Sequence, residues 1–387
     1  MKSPLKAFAR ENGSWGLRNQ VLILPLHSAL SASAREIADK SAGAVAISHD
    51  WSGERDQDLT RILYTLTGYA SNPNIFATIF LTIGTPEEDQ IIQGAQSLGL
   101  TRFTNLLLPE FGSMQNLQEQ GLTVANSYLI QASNKERVAA PWNAIVLGLE
   151  CGGSDALSGI TANPALGVAS DRLVDLGASS VLGETTEILG AEHLLAARAI
   201  TPEVGKKIVE MVARYEDSIN YEGIDIRGAQ PSRGNIEGGL STLEEKSLGA
   251  AKKAGNAAFT GTLEFGEIPK IPGLYFMDTP GHDIEQLAGF GAGHINIVVF
   301  TSGRGTPTGS AIMPTIKVST NTPMFESIPD LIDLDAGTIA DGVETLAQVG
   351  SRIFDEIIEV ANGKLTKAER GGHHEFALSR MYQTVVR

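Results

Sequence analysis

Long apolar runs without polar alternation recur along this chain, and most end in glycine and small polar residues. Residues 20–26 (QVLILPL), 75–83 (IFATIFLTI), 103–108, 143–149, 274–277, 295–300 and 316–319 form the series. A strand with one wet face alternates apolar and polar side chains, so a strand apolar throughout needs cover on both faces. Helical periodicity falls between the runs at 29–40, 58–67, 86–98 and 116–131, and later at 165–176, 191–199, 202–219 and 340–362. Shorter strands are expected at 44–48 and 180–182, and residues 232–249 read as a polar loop entering a helix. The alternation predicts an α/β fold of two Rossmann-like parallel-sheet domains. The polar stretch from Ser133 to Pro141 sets the boundary, giving an N-terminal domain over 1–138 and a C-terminal domain over 139–387. No GxGxxG follows the first run, so a dinucleotide fingerprint is absent.

At 387 residues, 42% of them hydrophobic, the chain exceeds one ordinary core. A net charge of −15 argues against nucleic acid or an anionic membrane as partner, because both need a basic face. A single cysteine rules out an internal disulfide framework and a CxxC zinc site. No run of about 20 apolar residues and no secretory leader are visible, so a cytoplasmic protein is expected.

Residues 148–164 (GLECGGSDALSGITANP) stand out. They hold Cys151, two adjacent glycines, and Ser, Asp and Asn at the end of a buried run. Glycines let backbone approach a ligand, and the small polar groups offer fixed donors and acceptors. Comparable endings follow other runs: His49-Asp50, Gly84-Thr85, Gly183–Glu187, Asp278–Asp283, Thr301–Pro307 and Thr320–Pro323. Together they predict one crevice at the carboxyl edges of parallel strands.

With these segments laid out, the chain resembles the altronate/galactarate dehydratase family, including its split relative, the large subunit of sulfolactate sulfo-lyase. The likeness runs from about Phe8 to the tail and is carried most specifically by CGGSD with SGITANP, and by SGRGTP at 302–307. It implies an iron-assisted β-elimination from a 2-hydroxy acid. In the dehydratases water leaves a sugar acid to give a 2-keto-3-deoxy acid; in the sulfo-lyase, sulfite leaves 3-sulfolactate to give pyruvate. Such chemistry needs a base for a weakly acidic proton, an acid for the leaving group, and a cation (Fe(II) or another divalent metal) for the charge on the carboxylate. Single-chain dehydratases carry a small N-terminal SAF domain, so the resemblance implies a separate small SAF subunit and a homo- or hetero-oligomer. Cysteines that the dehydratases usually carry shortly after the residue matching His49, near Gly84-Thr85 and near Ala250 are missing here. Their absence motivates a non-catalytic sugar-acid-binding paralogue as a third reading.

The resemblance implies roles by position. His49 is a candidate base or metal ligand, with a turn histidine as the alternative. Lys246 and Glu184 are further catalytic candidates. Cys151 and Glu187 are candidate metal ligands, although a lone cysteine is commonly a small buried apolar group. Ser154, Asp155, Asn163, Asn235, Arg304, Thr306 and Asn321 are candidate substrate contacts. Arg304 lies between two glycines that expose its fork for a carboxylate or sulfonate, whereas Asp155 and Asn163 also suit Asx-type caps. His282 and Asp283 lie outside the matching segments and rank lower; His193, His294, His373 and His374 are read as structural.

Overall fold

The computed structural model describes residues 4–53, 58–220 and 230–380. Part of the segment 222–231, expected to be irregular, lies outside them. Two short strands, β1 (Lys6–Ala9) and β2 (Trp15–Gly16), open the chain. A parallel sheet follows, built from β3 (Gln20–Pro25), β4 (Ala44–Ala46), β5 (Ile75–Thr82) and β6 (Phe103–Leu107) in the order β4-β3-β5-β6. All eight residues of β5 are buried, as a strand covered on both faces requires. Helices α1 (Ser31–Asp39), α2 (Leu59–Ala70), α3 (Pro86–Ser97), α4 (Leu108–Phe111) and α5 (Met114–Ser133) connect and cover it. Strand β7 (Val138–Ala139) then pairs with β1 in a small antiparallel sheet of order β2-β1-β7.

The second parallel sheet has seven strands: β8 (Val146–Cys151), β9 (Ser179–Leu182), β10 (Phe259–Leu263), β11 (Gly273–Met277), β12 (Ile297–Ser302), β13 (Thr315–Ser319) and β14 (Leu334–Asp335). Their order is β10-β11-β9-β8-β12-β13-β14. Its helices are α6 (Ala162–Asp175), α7 (Glu192–Ala196), α8 (Pro202–Asn220), α9 (Arg233–Glu237), α10 (Leu243–Ala251), α11 (Asp283–Ala292), α12 (Thr322–Ser327), α13 (Leu346–Ala361) and α14 (Lys367–Gly371). The α/β class and the parallel sheets agree with the expectation. Among the described residues, no helix is long and apolar enough to cross a membrane.

One apolar layer belongs to both sheets. It joins Leu22, Leu24, Leu66, Tyr69 and Phe80 to Val181, Met277, Phe290 and Val298. Helices α2 and α11 meet there. A Cβ on Gly68 would lie 2.2 Å from the Ala292 carbonyl oxygen, and one on Gly291 would lie 2.3 Å from the Tyr69 ring. The glycines of α11 therefore serve close helix packing, and their low helical propensity hid this helix from the periodicity reading. The ends of the chain are also joined: Arg18, 7% exposed, donates to both carboxylate oxygens of Glu369 and to the carbonyls of Val360 and Lys364.

Two local expectations change. Residues 232–249 hold two helices, because Ser232 and Asn235 form a reciprocal capping box at α9 and Thr242 caps α10. The helix expected over 340–362 begins at Leu346, where Thr345 and Gln348 form another such box.

Candidate active site at the edge of the seven-stranded sheet

The carboxyl ends of β8 and β9 and one face of α10 converge on a buried charged cluster. β8 delivers Glu150 and Cys151. After β9 the chain turns at Gly183 into a short 3-10 segment, Thr185–Ile188, which presents Glu184 and Glu187. Glu184 is in the left-handed region, at φ 61° and ψ 60°. That conformation is costly for a residue with a Cβ and persists only when neighbours enforce it. Here the Glu184 amide donates to Thr279 Oγ1 at 2.7 Å, and Thr185 Oγ1 donates to Asp278 Oδ1 at 2.7 Å.

Lys246 on α10 and Lys253 in the 3-10 turn behind it are seven residues apart and face the cluster together. Lys246 Nζ lies 2.7 Å from Glu187 Oε1. It also donates to Gln230 Oε1 at 2.7 Å and Asn235 Oδ1 at 3.2 Å. Lys253 is fully buried; its Nζ lies 2.9 Å from Cys151 Sγ and pairs with the Glu184 carboxylate. Cys151 Sγ lies 3.6 Å from Glu187 Oε2 and 3.8 Å from both Glu184 carboxylate oxygens.

Burial pushes the Cys151 thiol up to about 11, against the pull of Lys253. It pushes Glu150 well above the usual carboxylate range, reinforced by Asp283 and Glu187 and opposed by Lys253. Both Glu150 carboxylate oxygens are buried without a hydrogen-bond partner. Asp283 is raised to about 6, again by burial first and by Glu187 second. A side chain on Gly152 would meet the Asp283 carboxylate at 2.5 Å, so the first glycine of the CGG motif makes room for it. Nearby, Thr186 Oγ1 and the amide of Gln286 are also buried without partners. Among the described residues, the Glu184 and Glu187 carboxylates pair with the Lys253 and Lys246 ammoniums, and the raised carboxyls of Glu150 and Asp283 lie beside them.

Cys151, Glu184 and Glu187 offer ligand atoms that all lie within 4.8 Å of one another. A sulfur with two carboxylates suits a first-row divalent metal. The Lys253 ammonium already lies against two of these groups, which shows that their lone pairs converge on a positive charge. The residues therefore fit a cation.

Beside the cluster is a cleft of about 200 Å³, lined by Ser154, Asp155, Asn163, Leu240, Lys246 and Leu248 among others. Ser154 Oγ lies 3.8 Å from Cys151 Sγ, and its carbonyl accepts from Asn235 Nδ2 at 3.0 Å. Asp155 is committed to the fold: Oδ2 accepts from Thr320 and Asn321, and Oδ1 from Ser158 and the Leu157 amide. Asn321 also caps α12 through the Met324 amide. Asn163 bridges the Gly249 carbonyl and Thr301 Oγ1. Arg304 Nη1 donates to the Gly234 carbonyl at 2.6 Å and pairs with Glu237, tying α9 to the β12 loop. Thr306 bonds to Thr308, and its carbonyl accepts from the buried Lys317, whose ammonium burial lowers to about 8.

His49 stands at the edge of the other parallel sheet. Its Nε2 lies 2.8 Å from the Pro25 carbonyl, so Nε2 carries the proton and Nδ1, buried and unpaired, keeps its lone pair. Burial lowers its pKa, with Asp50, His27 and Arg380 as charge neighbours; no group of the Cys151 cluster is among them. His282 pairs with Glu285 on the surface. His294 bonds Ser71 in the shared core. The sequence reading did not single out Lys253, for which the seven-residue spacing from Lys246 was the available signal, and Asp283, ranked lower there, lies beside the cluster.

Two family models match the chain. Residues 142–384 match the model described as D-galactarate/altronate dehydratase, C-terminal, and residues 7–133 match D-galactarate dehydratase/altronate hydrolase, second domain. The chain is 32% identical to (2R)-sulfolactate sulfo-lyase subunit beta of Chromohalobacter salexigens, over 97% of each chain. It is 34% identical to altronate dehydratase of Bacillus subtilis, over 96% of this chain and 77% of that one. It is 42% identical to galactarate dehydratase (L-threo-forming) of Escherichia coli, over 67% of this chain and 50% of that one.

Proposed function

Because this chain belongs to the galactarate/altronate dehydratase family and is a lyase, we propose that it catalyses a metal-assisted β-elimination from a sugar acid. On this reading it is the large subunit of a hydro-lyase that yields a 2-keto-3-deoxy acid and works with a small SAF-type companion. The observation that carries the reading is the buried Cys151–Glu184–Glu187 cluster with its two lysines, set beside a cleft.

The elimination needs three things: the acid held in place, its α-proton removed, and a proton supplied to the leaving hydroxyl. Lys246 reaches the cleft wall and has three polar partners, so it is placed to meet the substrate carboxylate. Glu187 Oε1, 2.7 Å from Lys246 Nζ, accepts the α-proton, while its Oε2 is the oxygen turned towards Cys151. Asp283, raised to about 6, retains a share of its proton near neutrality and supplies the leaving group. Cys151, Glu184 and Glu187 would hold the divalent ion, with ferrous iron as the proposed metal. When bound, it would neutralise the charge that develops on the substrate carboxylate. Ser154 lines the cleft as a substrate contact, with Asn235 bonded to its carbonyl, and Arg304 and Thr306 on the β12 loop are further proposed contacts. His49 is the alternative base, reaching from the other sheet.

The second reading is elimination of sulfite from sulfolactate. It is favoured by the 32% identity to the Chromohalobacter salexigens sulfo-lyase subunit, which extends over nearly the whole chain. Arg304 would then meet the sulfonate. An anaerobic assay of the chain with Fe(II) and a SAF companion, offered altronate, galactarate and 3-sulfolactate, separates the two. Keto acid from a sugar acid without sulfite is the expected result. Pyruvate with sulfite from sulfolactate would replace it by the second reading, and no product from any of the three would overturn both.

A further inference from the structure

The reading above gives no task to Lys253 or to Glu150, a cation and an acid both buried at the cluster. Lys253 is fully buried, with its ammonium 2.9 Å from Cys151 Sγ and against the Glu184 carboxylate. An ammonium has three donors and no acceptor, so it uses the same lone pairs that a metal ion would. It also repels a second positive charge placed among them. Two of the three candidate ligands are therefore occupied by Lys253. The unused acid is Glu150, also fully buried, whose two carboxylate oxygens have no hydrogen-bond partner. Lys253 is the cation among its charge neighbours. The backbone behind Lys253 is held fast, because Asn256 and Ala257 donate to the Asp171 carboxylate at 2.8 to 2.9 Å. Only the flexible side chain is free to change position.

We propose that Lys253 is a placeholder cation, which occupies the gap between Cys151 and Glu184 and transfers to Glu150 when a divalent metal binds. The proposal rests on the metal reading of the triad. Lys253 then sets metal affinity in the sense opposite to a ligand, and Glu150 is its second docking position. A buried acid with no partner becomes intelligible as one that gains its partner in the loaded state.

Titration with Co(II), followed by the thiolate-to-cobalt absorption band, tests this without any turnover. Lys253→Met should develop the band at about tenfold lower Co(II) than the wild-type chain. Lys253→Arg, which keeps the charge, should bind no more tightly than wild type. Glu150→Gln should bind about tenfold more weakly, because the displaced ammonium loses its destination. Cys151→Ser identifies the band by abolishing it. A cysteine-dependent band in Lys253→Met at wild-type or higher Co(II) overturns the placeholder role and leaves the metal triad standing. Absence of the band from both wild type and Lys253→Met overturns the two together. Should Lys253→Met not fold, as judged by circular dichroism, Glu150→Gln decides: weaker binding supports the proposal, and unchanged binding overturns it.

Discussion

The two parallel sheets end in polar segments of similar composition, yet their edges are finished differently. At the four-stranded sheet, the Glu88 carboxylate accepts the backbone amides of Ile83, Gly84 and Thr85 at 2.7 to 3.1 Å, and Thr85 caps the Glu88 amide in return. The acid closes the start of α3, a structural duty. His49 is likewise anchored to a backbone carbonyl. In the buried cluster at the seven-stranded sheet, three acids are finished otherwise: Glu187 faces Lys246, Glu184 faces Lys253, and Glu150 has no hydrogen-bond partner. A carboxylate satisfied by backbone is fixed, whereas one satisfied by a mobile ammonium can exchange it. Strand-end topology makes a crevice, but the kind of partner decides whether the crevice can do chemistry.

The sharpest way to break this contrast is to mutate one edge at a time. Glu187→Gln should lower kcat by about 1,000-fold with little change in thermal midpoint, and His49→Asn by less than about tenfold. Equal losses would show that both edges close on one substrate, with His49 as the base. A smaller effect concerns pH. Asp283 has a folded-state value near 6, above its ordinary range, so the folded state binds this proton more tightly than the unfolded chain. Its contribution to stability therefore falls as pH rises from about 4 to about 6. Asp283→Asn should stabilise the fold by up to about 2 kcal/mol above pH 6, with the gain vanishing below pH 4 in thermal melts. A gain independent of pH would mean that this carboxyl is not held out of its usual range. At the other sheet, Glu88→Gln should cost about 1 kcal/mol in denaturant unfolding and leave KM unchanged. A changed KM would bring that edge into the site.

Much of this arrangement was legible beforehand. Uniformly apolar runs required two-sided cover, and Cys151, Glu184, Glu187 and Lys246 stood where such runs end or in segments the resemblance matched. The rest depended on partners that sequence does not display. Asp155 and Asn321 looked like ligand readers, but they spend their hydrogen bonds on each other and on the loops around them. Lys253 drew no reading from the sequence, because its burial comes from Cys151, Glu184 and helix α6, all distant in sequence. Asp283 ranked lower because it lies outside the matching segments, and the glycines of α11 masked the helix whose first residue it is.

The left-handed backbone at Glu184 has a consequence for substitution there. Glycine would adopt that conformation without penalty, and it would remove a buried carboxylate as well. That carboxylate is also the partner of the fully buried Lys253 ammonium, so Glu184→Gly would ease the backbone and at the same time strand a buried charge. Position 184 is thus a place where backbone ease and charge pairing pull apart, and glycine there is expected to be tolerated only together with loss of the Lys253 charge.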